Sequence, residues 1–152
     1  MTPNKSPARK KKNNSIKPLA RHYRPTDKEP FMSSRQLAYF RLRLLGWREE
    51  LLRDSSQTLQ NLQHESLQAP DIADRASVET ERSVELRTRD RERKLITKIG
   101  DALHRIEAGT YGYCEETGEP IGLRRLEARP IATLSLEAQE RHERMEKIYR
   151  ND

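Results

Sequence analysis

The sequence is poor in the residues that build a thick hydrophobic core. Only 33% of its 152 residues are hydrophobic and 5% are aromatic, whereas 36% are charged. A chain of this composition has too little apolar surface for a large globular interior, but it suits long helices that bury one narrow face. The length and composition therefore predict one mainly α-helical domain, alone or with a tail.

Two further absences concern the compartment. No stretch approaches the roughly 18 consecutive apolar residues of a membrane span, and the first residues lack the hydrophobic segment of a secretory signal. Cys114 is the only cysteine, so an internal disulfide is impossible, and a single thiol is typical of a reducing compartment. We therefore expect a cytoplasmic protein that does not bind membranes.

Motifs for catalysis are also missing. The sequence has no glycine-rich phosphate loop, no HExxH motif and no plausible Ser/His/Asp set. We therefore do not expect this protein to be an enzyme.

The positive charge is concentrated at the N-terminus. Residues 1–30 contain nine basic and two acidic residues, a net charge of +7, so that the rest of the chain carries −1 of the total of +6. Five of the eight prolines also lie there. This composition predicts a disordered basic tail over residues 1–32. Such a tail could contact nucleic acid or an acidic protein, although a solvated tail is the simpler interpretation.

The region after the tail begins with a helix signal. Ser33 can act as an N-cap, and Gln36 can reach back to complete a capping box. A heptad pattern typical of a coiled coil follows and then shifts its register, as a stutter does. The first register contains Leu37, Phe40, Leu44, Trp47 and Leu51, and the second contains Leu52, Leu59 and Leu62. One helix over about residues 34–68 is expected to be roughly 50 Å long.

A break near Pro70 separates this helix from a second one. Proline disfavours helix at the residue before it, and Asp71 or Asp74 can cap the helix that follows over about residues 75–108. The middle of that second helix is almost wholly polar. Two long helices joined by a short loop pair antiparallel. We therefore predict a helical hairpin over residues 33–108, with a well-packed base and an acidic tip at residues 70–76.

A small C-terminal module is predicted after the hairpin. Turn signals indicate a compact globular unit over residues 109–134. Ser135 can cap a last helix, within residues 135–152. The few apolar residues of this helix are expected to pack on the module or on the hairpin base. They are Leu136, Met145, Ile148 and Tyr149.

Four positions in the module have the spacing of a zinc site without its ligands. Tetrahedral zinc takes four thiolates from two C-x₂-C pairs, but the residues here are Cys114, Thr117, Ser135 and Ala138. One thiolate does not make such a site, so we expect no metal and predict that apolar packing holds the module together. The expected packing residues are Tyr111, Tyr113, Ile121, Leu123, Leu126, Ile131 and Leu134.

The carboxylates of Asp71 and Asp74 allow two interpretations. Taken alone, the tip favours helix capping, which is common and is worth about 1 kcal/mol for each carboxylate. A long rod would also deliver two anions to a partner protein, where they could meet a metal ion or basic side chains. The arginines of the second helix are similarly ambiguous, because a charge run on a long helix is usually a solvated face.

The chain resembles the DksA/TraR family of bacterial transcription regulators. The resemblance covers roughly residues 31–149 and depends on three stretches: DIADRA at residues 71–76, RIEAGTYGYC at 105–114, and IGLRRLEARP at 121–130. The last two are highly specific when they occur together. The first is shorter, but it falls where the family has the tip of its hairpin.

The resemblance implies the partners of the protein. The hairpin is expected to enter the secondary channel of bacterial RNA polymerase while the globular end grips the outside. The alarmone ppGpp is expected to act jointly with the protein on promoter open complexes in the stringent response. Individual roles follow by matching residues. Asp71, Asp74 and Ala76 would face the polymerase active site, Arg87 and Arg91 would contact the channel rim, and Lys98 and Arg129 would bind ppGpp.

Two departures from the family pattern matter. Three of the four zinc cysteines are replaced, so the chain resembles the cysteine-poor, zinc-independent branch. A third basic ligand of ppGpp is Gln139 here. Losing one charged phosphate contact costs roughly 1.5–3 kcal/mol, which would weaken the ppGpp response without abolishing it.

Three other functions stay open from the residues. A Gre-like factor that stimulates transcript cleavage could use the tip carboxylates to help bind a second Mg²⁺. A structural coiled-coil adaptor would use the tip only as a cap. The basic tail could bind DNA directly. The leading expectation is a monomeric regulator that acts through polymerase and ppGpp, without sequence-specific DNA binding and without a cofactor of its own.

Overall fold

The computed structural model describes residues 19–65 and 72–151. Within these ranges the regular structure is helical: α1 (Ser34–Glu65), α2 (Ile72–Ala108), α3 (Leu123–Ala128) and α4 (Leu136–Arg150). No strand forms in the described part of the chain, and an isolated antiparallel bridge joins Tyr113 to Pro120. The predicted mainly α-helical fold, in which a long hairpin precedes a small C-terminal module, is confirmed.

The hairpin consists of two long helices packed on each other. Its helices contain 32 and 37 residues, which corresponds to about 48 and 55 Å. The second helix begins at Ile72, three residues earlier than expected, so Asp74 lies inside its first turn and does not precede it. The predicted end of the first helix at residue 68 lies outside the described residues.

Apolar packing is concentrated at the hairpin base. Phe40 and Leu44 of α1 are fully buried, as are Ile99 and Ala102 of α2. Each large side chain buried in this way contributes about 1.5–3 kcal/mol. The base of the hairpin is therefore the rigid part of the rod.

The predicted move of the α1 seam to Leu52 and Leu59 is wrong. Leu52 and Leu59 are 51% and 36% exposed, whereas Leu51 is buried and Ser55 and Thr58 are half-buried. The buried face thus runs through Ser55 and Thr58, and it exchanges leucine for small polar residues. The side chain of Leu62 lies outside the described residues.

The second helix explains why the leucines of α1 do not turn inward. Half-buried residues of α2 recur at alternating spacings of four and three, and toward the tip these positions hold Arg82, Glu85, Arg89 and Glu92. One carboxylate oxygen each of Glu85 and Glu92 is shielded from water and has no hydrogen-bond partner. Because the facing positions are charged, rotating α1 would bring no apolar contact. The distal half of the hairpin therefore has a charged seam.

The predicted capping box forms only in half. The Ser33 hydroxyl accepts a hydrogen bond from the Gln36 backbone N–H at 3.4 Å, as an N-cap should. The Gln36 side chain is fully buried and does not return to Ser33. Its Oε1 accepts from the Met32 N–H at 2.8 Å, and its Nε2 donates to the Thr26 carbonyl at 3.1 Å. Gln36 therefore fastens the segment before the helix.

That preceding segment is packed where the sequence predicted disorder. Residues 1–18 of the predicted tail lie outside the described residues, but Tyr23 contacts the Arg35 guanidinium, 4.5 Å from its ring centroid. Phe31 packs edge-on against Tyr113 at 5.5 Å between centroids. Aromatic side chains set among polar residues thus attach this part of the chain to the hairpin base and the module.

The module packs around Tyr111, which joins it to the hairpin. The Tyr111 ring lies 5.7 Å from that of Phe40 between centroids, and its hydroxyl donates to the Pro130 carbonyl at 2.7 Å. Burial raises the pKa of Tyr111 above its usual range, so the phenol stays neutral. Of the expected packing residues, Tyr113 is 38% exposed and Leu134 is half-buried. The other four, all buried, are Ile121, Leu123, Leu126 and Ile131.

The last helix begins as predicted but does not pack as predicted. The Ser135 hydroxyl caps it by accepting from the Ala138 N–H at 3.3 Å, and Ala138 is buried. Glu116 holds the next turn, since its carboxylate contacts Arg141 and His142. The apolar residues that were expected to pack are all more than half exposed. They are Leu136, Met145, Ile148 and Tyr149.

Candidate functional site

Two of the three expected tip residues are described, and they lie at the start of α2, far from the module. Asp71 is outside the described residues, and only the backbone of Asp74 is described, in the first helical turn. Ala76 follows and is exposed. A helix places residue 74 about 36 Å from Lys98 along its axis. The rod therefore separates the tip from the other candidate residues.

The outer face of α2 presents two uncompensated arginines. Arg87 and Arg91 are exposed, and a spacing of four places them on one helix face. The Arg87 Nε donates to the Ser83 carbonyl at 3.3 Å. Neither arginine has a carboxylate within ion-pair distance in the described part of the chain, so both are available to an acidic partner.

Three neighbouring charged residues of α2 are, in contrast, paired with one another. Asp90 accepts from Lys94 and Arg93 at 3.1 and 3.0 Å, and these contacts, with Lys94 the stronger, lower the pKa of the Asp90 carboxyl. One carboxylate and two cations leave this cluster a single positive charge, so it attracts an acidic partner less than three unpaired basic residues would.

A cleft of about 130 Å³ lies where α2, the end of α3 and the start of α4 meet. The structure brings the expected nucleotide residues together there, since Lys98, Arg129 and Gln139 all line it. Its wall contains three more charged residues that the sequence did not assign to a nucleotide site. These are Asp101, Arg105 and Arg125. Helical spacing carries a signal for them, because residues 101 and 105 share a face with Lys98, and residue 125 lies one turn before Arg129.

The four basic residues of this cleft are not equivalent. Arg105 pairs with the Glu115 carboxylate at 3.3 Å, and the Arg125 Nε donates to the Leu134 carbonyl at 2.9 Å. Lys98 and Arg129 are exposed and make no ion pair with the described residues. Because the Leu134 carbonyl does not neutralise Arg125, the cleft offers an anion two exposed cations, Lys98 and Arg129, and a third that is held in its wall.

The four zinc-site positions come together without forming a zinc site. Ser135 uses its hydroxyl as a helix cap, and alanine at position 138 has no donor atom. Cys114 is buried, which opposes ionisation, but it accepts hydrogen bonds from the Thr117 hydroxyl and from the backbone N–H groups of Ser135, Thr117 and Glu116. These hydrogen bonds prevail and lower its pKa to about 6.

This donor set does not fit the group that a four-cysteine finger holds. A tetrahedral structural zinc needs four thiolate or imidazole ligands, and these positions supply one. Across residues 19–65 and 72–151, no cluster of three or more His, Cys, Asp or Glu side chains is arranged to hold a metal ion. Nor does any helix in those ranges combine the length and apolar character needed to cross a membrane.

Comparison with known proteins gives the same division of the chain. Residues 36–106 match the family described as DnaK suppressor protein DksA, N-terminal domain, and residues 109–144 match the prokaryotic dksA/traR C4-type zinc finger. The RNA polymerase-binding transcription factor DksA of Caulobacter vibrioides is 65% identical over 130 residues, which are 86% of this chain and 92% of that protein. The protein of the same name from Escherichia coli K12 is 47% identical over 115 residues, 76% of each chain.

A solved structure shows the same architecture. Transcription factor DksA2 from Pseudomonas aeruginosa superposes with a TM-score of 0.72 at 45% sequence identity, covering 79% of this chain and 95% of that one. The two family matches cover the hairpin and the module in turn, and the Caulobacter relative matches most of the chain at high identity. The chain belongs to the DksA family.

Proposed function

We propose that this protein regulates transcription by binding bacterial RNA polymerase in the cytoplasm, without catalytic activity of its own. The observation that carries the proposal is the 65% identity, over 86% of the chain, to a protein named RNA polymerase-binding transcription factor DksA. That identity spans the hairpin and the module together, which favours a polymerase-binding regulator over a structural coiled-coil adaptor. We expect a monomer that does not recognise DNA sequence.

The shape of the hairpin supports entry into the polymerase secondary channel. Two paired helices form a rod narrow enough for a channel that excludes a globular domain, and the rod is about 55 Å long. In this mode Asp71, Asp74 and Ala76 face the catalytic centre. Arg87 and Arg91 lie about 20–26 Å behind residue 74 along the helix, where they contact acidic groups at the channel rim.

The cleft at the hairpin base supports ppGpp as a joint regulator. Lys98 and Arg129 are its two exposed cations, and cationic side chains are the usual ligands of phosphates. The cleft holds about 130 Å³, less than the roughly 300–1,000 Å³ of typical small-molecule sites. It would therefore supply half of a nucleotide site that polymerase completes. Gln139, which is neutral, makes the phosphate contacts weaker than a basic residue would.

The donor set at positions 114, 117, 135 and 138 supports a zinc-independent module. Apolar packing around Tyr111 and the hydrogen bonds to Cys114 take over the role that a metal has in a four-cysteine finger. Metal analysis of the purified protein tests this part of the proposal, and about one zinc per chain would contradict it.

The tip residues give the decisive test of the mechanism. Changing Asp71 and Asp74 together to Asn should leave polymerase binding intact and remove the effect on a ribosomal-RNA promoter, because the shape stays and the two charges go. Asp54 is an exposed carboxylate of α1 that lies outside the tip. Asp54→Asn therefore serves as the matched control and should behave as wild type. Full promoter activity of the double variant would reject the tip mechanism.

A further inference from the structure

The anion cleft contains one carboxylate that has no partner. Asp101 lies on α2 one turn after Lys98, lines the same cleft as Lys98 and Arg129, and is exposed. No cation within residues 19–65 or 72–151 lies within ion-pair distance of it. Arg105 is paired with Glu115, but the hydrogen bond from Arg125 to the Leu134 carbonyl leaves the charge of the guanidinium in place. Among the described residues the cleft therefore has three positive groups and one negative group without an ion-pair partner.

A second carboxylate, on α4, lies outside the cleft but is bonded to one of the residues that line it. The Gln139 Nε2 donates to Glu143 Oε1 at 3.1 Å, so the neutral amide is turned toward an acid of its own helix. Carboxylates of two helices therefore lie in or next to the cleft, Asp101 on α2 and Glu143 on α4. The two carboxylates oppose the attraction that the basic residues of the cleft exert on a ligand with several negative charges.

From this arrangement we propose that Asp101 limits the affinity of the cleft for the phosphates of ppGpp. The inference rests on the proposed function, since it needs ppGpp to occupy the cleft beside Lys98 and Arg129. A carboxylate beside phosphate oxygens repels them, and this repulsion subtracts from the attraction that Lys98 and Arg129 exert on the phosphates. The residue is thus a determinant of how much ppGpp is needed for a response.

The expected size of the effect follows from the exposure of Asp101. Water and salt screen an exposed carboxylate, and interactions between exposed charges change an equilibrium by a factor of roughly two to five. Removing the charge should therefore sharpen the ppGpp response without creating a new activity. The effect should also shrink as salt rises, because the Debye length falls from about 10 Å at 0.1 M to about 3 Å at 1 M ionic strength.

The test is a ppGpp titration of the full-length protein with RNA polymerase on a ribosomal-RNA promoter. Asp101→Asn should lower the half-maximal ppGpp concentration by about two- to fivefold, whereas Asp101→Glu keeps the charge and should stay close to wild type. Lys98→Gln should raise that concentration or abolish the response. Glu107→Gln removes an exposed carboxylate of α2 outside the cleft and should change nothing.

Two outcomes separate this inference from the proposed function. If wild type responds to ppGpp and Asp101→Asn responds equally or less, or if its gain is the same at low and high salt, the role of Asp101 is rejected while ppGpp binding stands. If wild type and Asp101→Asn both act on the promoter but neither responds to ppGpp, the proposed nucleotide site is wrong, and the role of Asp101 falls with it.

Discussion

Gly112 occupies the closest approach between the module and the segment that precedes α1. Its φ of +89° is in the left-handed region, and a Cβ there would lie 2.8 Å from the Cγ and Sδ of Met32. Gly112→Ala should therefore lower the free energy of unfolding by about 1–2 kcal/mol from the backbone conformation alone. Urea denaturation measures the loss.

A second glycine provides the control for that experiment. Gly100 lies inside α2, and a Cβ added to it would have no atom within 4 Å. Gly100→Ala should raise the free energy of unfolding by about 0.5–1 kcal/mol, because alanine loses less conformational freedom in a helix. Equal stabilities for Gly112→Ala and wild type would show that the contact with Met32 and the φ angle carry no cost.

Cys114 gives the protein a pH-dependent stability. Its pKa is lowered to about 6 in the folded chain, against about 8.5 for an unfolded thiol. Between these values the unfolded chain binds the proton and the folded chain does not, so the free energy of unfolding rises with pH. The contribution is complete above the unfolded pKa and is lost as pH falls through about 6.

The measurement is a series of urea midpoints from acidic to mildly alkaline pH. Cys114→Ser should remove the part of the rise between about pH 6 and 8.5, since a serine hydroxyl does not ionise there. If wild type and the variant gave parallel curves, the hydrogen bonds from Thr117 and from the backbone would not be holding a thiolate.

At the level of the helices, the charged seam makes the distal hairpin weaker than its base. Glu92 has a carboxylate oxygen that is shielded from water without a hydrogen-bond partner, which costs about 1–3 kcal/mol. Glu92→Leu should therefore raise the free energy of unfolding by about 1–2 kcal/mol. Amide hydrogen exchange should slow mainly in the distal half of the hairpin.

A glutamate on the outer face of the same helix provides a control, because replacing it by leucine changes helix propensity without burying a side chain in the seam. Glu81 is exposed, so Glu81→Leu gains no burial and should leave stability within about 0.5 kcal/mol of wild type. A loss of stability in Glu92→Leu would mean that Arg89 or another seam charge depends on the carboxylate of Glu92.

The helices also show what the sequence could and could not predict. The heptads of α1 up to Leu51 and the cap at Ser135 depend on neighbouring residues, so they were predictable from the chain. The register beyond Leu51 was not, because it depends on which residues of α2 face α1. For the same reason the cleft was predicted only in part, since Asp101 and Arg125 meet through the packing of the module.

For the whole molecule, the rod couples two places that lie far apart. Tip and cleft are separated by about 36 Å of helix, and the base between them is closed by Phe40, Leu44 and Ile99. The apolar base is rigid and fixes the orientation of the cleft relative to the rod. The charged seam packs the distal part of the hairpin less tightly, so the stability of that part depends on what surrounds it. The length of the hairpin then determines how far the tip charges lie from the base.

This dependence on length can be tested by removing one heptad from each arm, residues 58–64 and 79–85. A seven-residue deletion preserves the seam register and withdraws the tip by about 10 Å. It keeps Arg87, Arg91 and the cleft, so polymerase binding should persist. The promoter effect should be lost, because about 10 Å exceeds the roughly 8 Å Debye length at physiological salt.

A length-matched variant completes that experiment. Replacing the same two heptads by other residues of the same seam pattern restores the distance and should restore the promoter effect, which separates length from the identity of the deleted residues. Full activity of the shortened protein would mean that the tip charges do not act at a fixed depth. The regulatory contact would then have to lie nearer the base, at Arg87, Arg91 or the cleft.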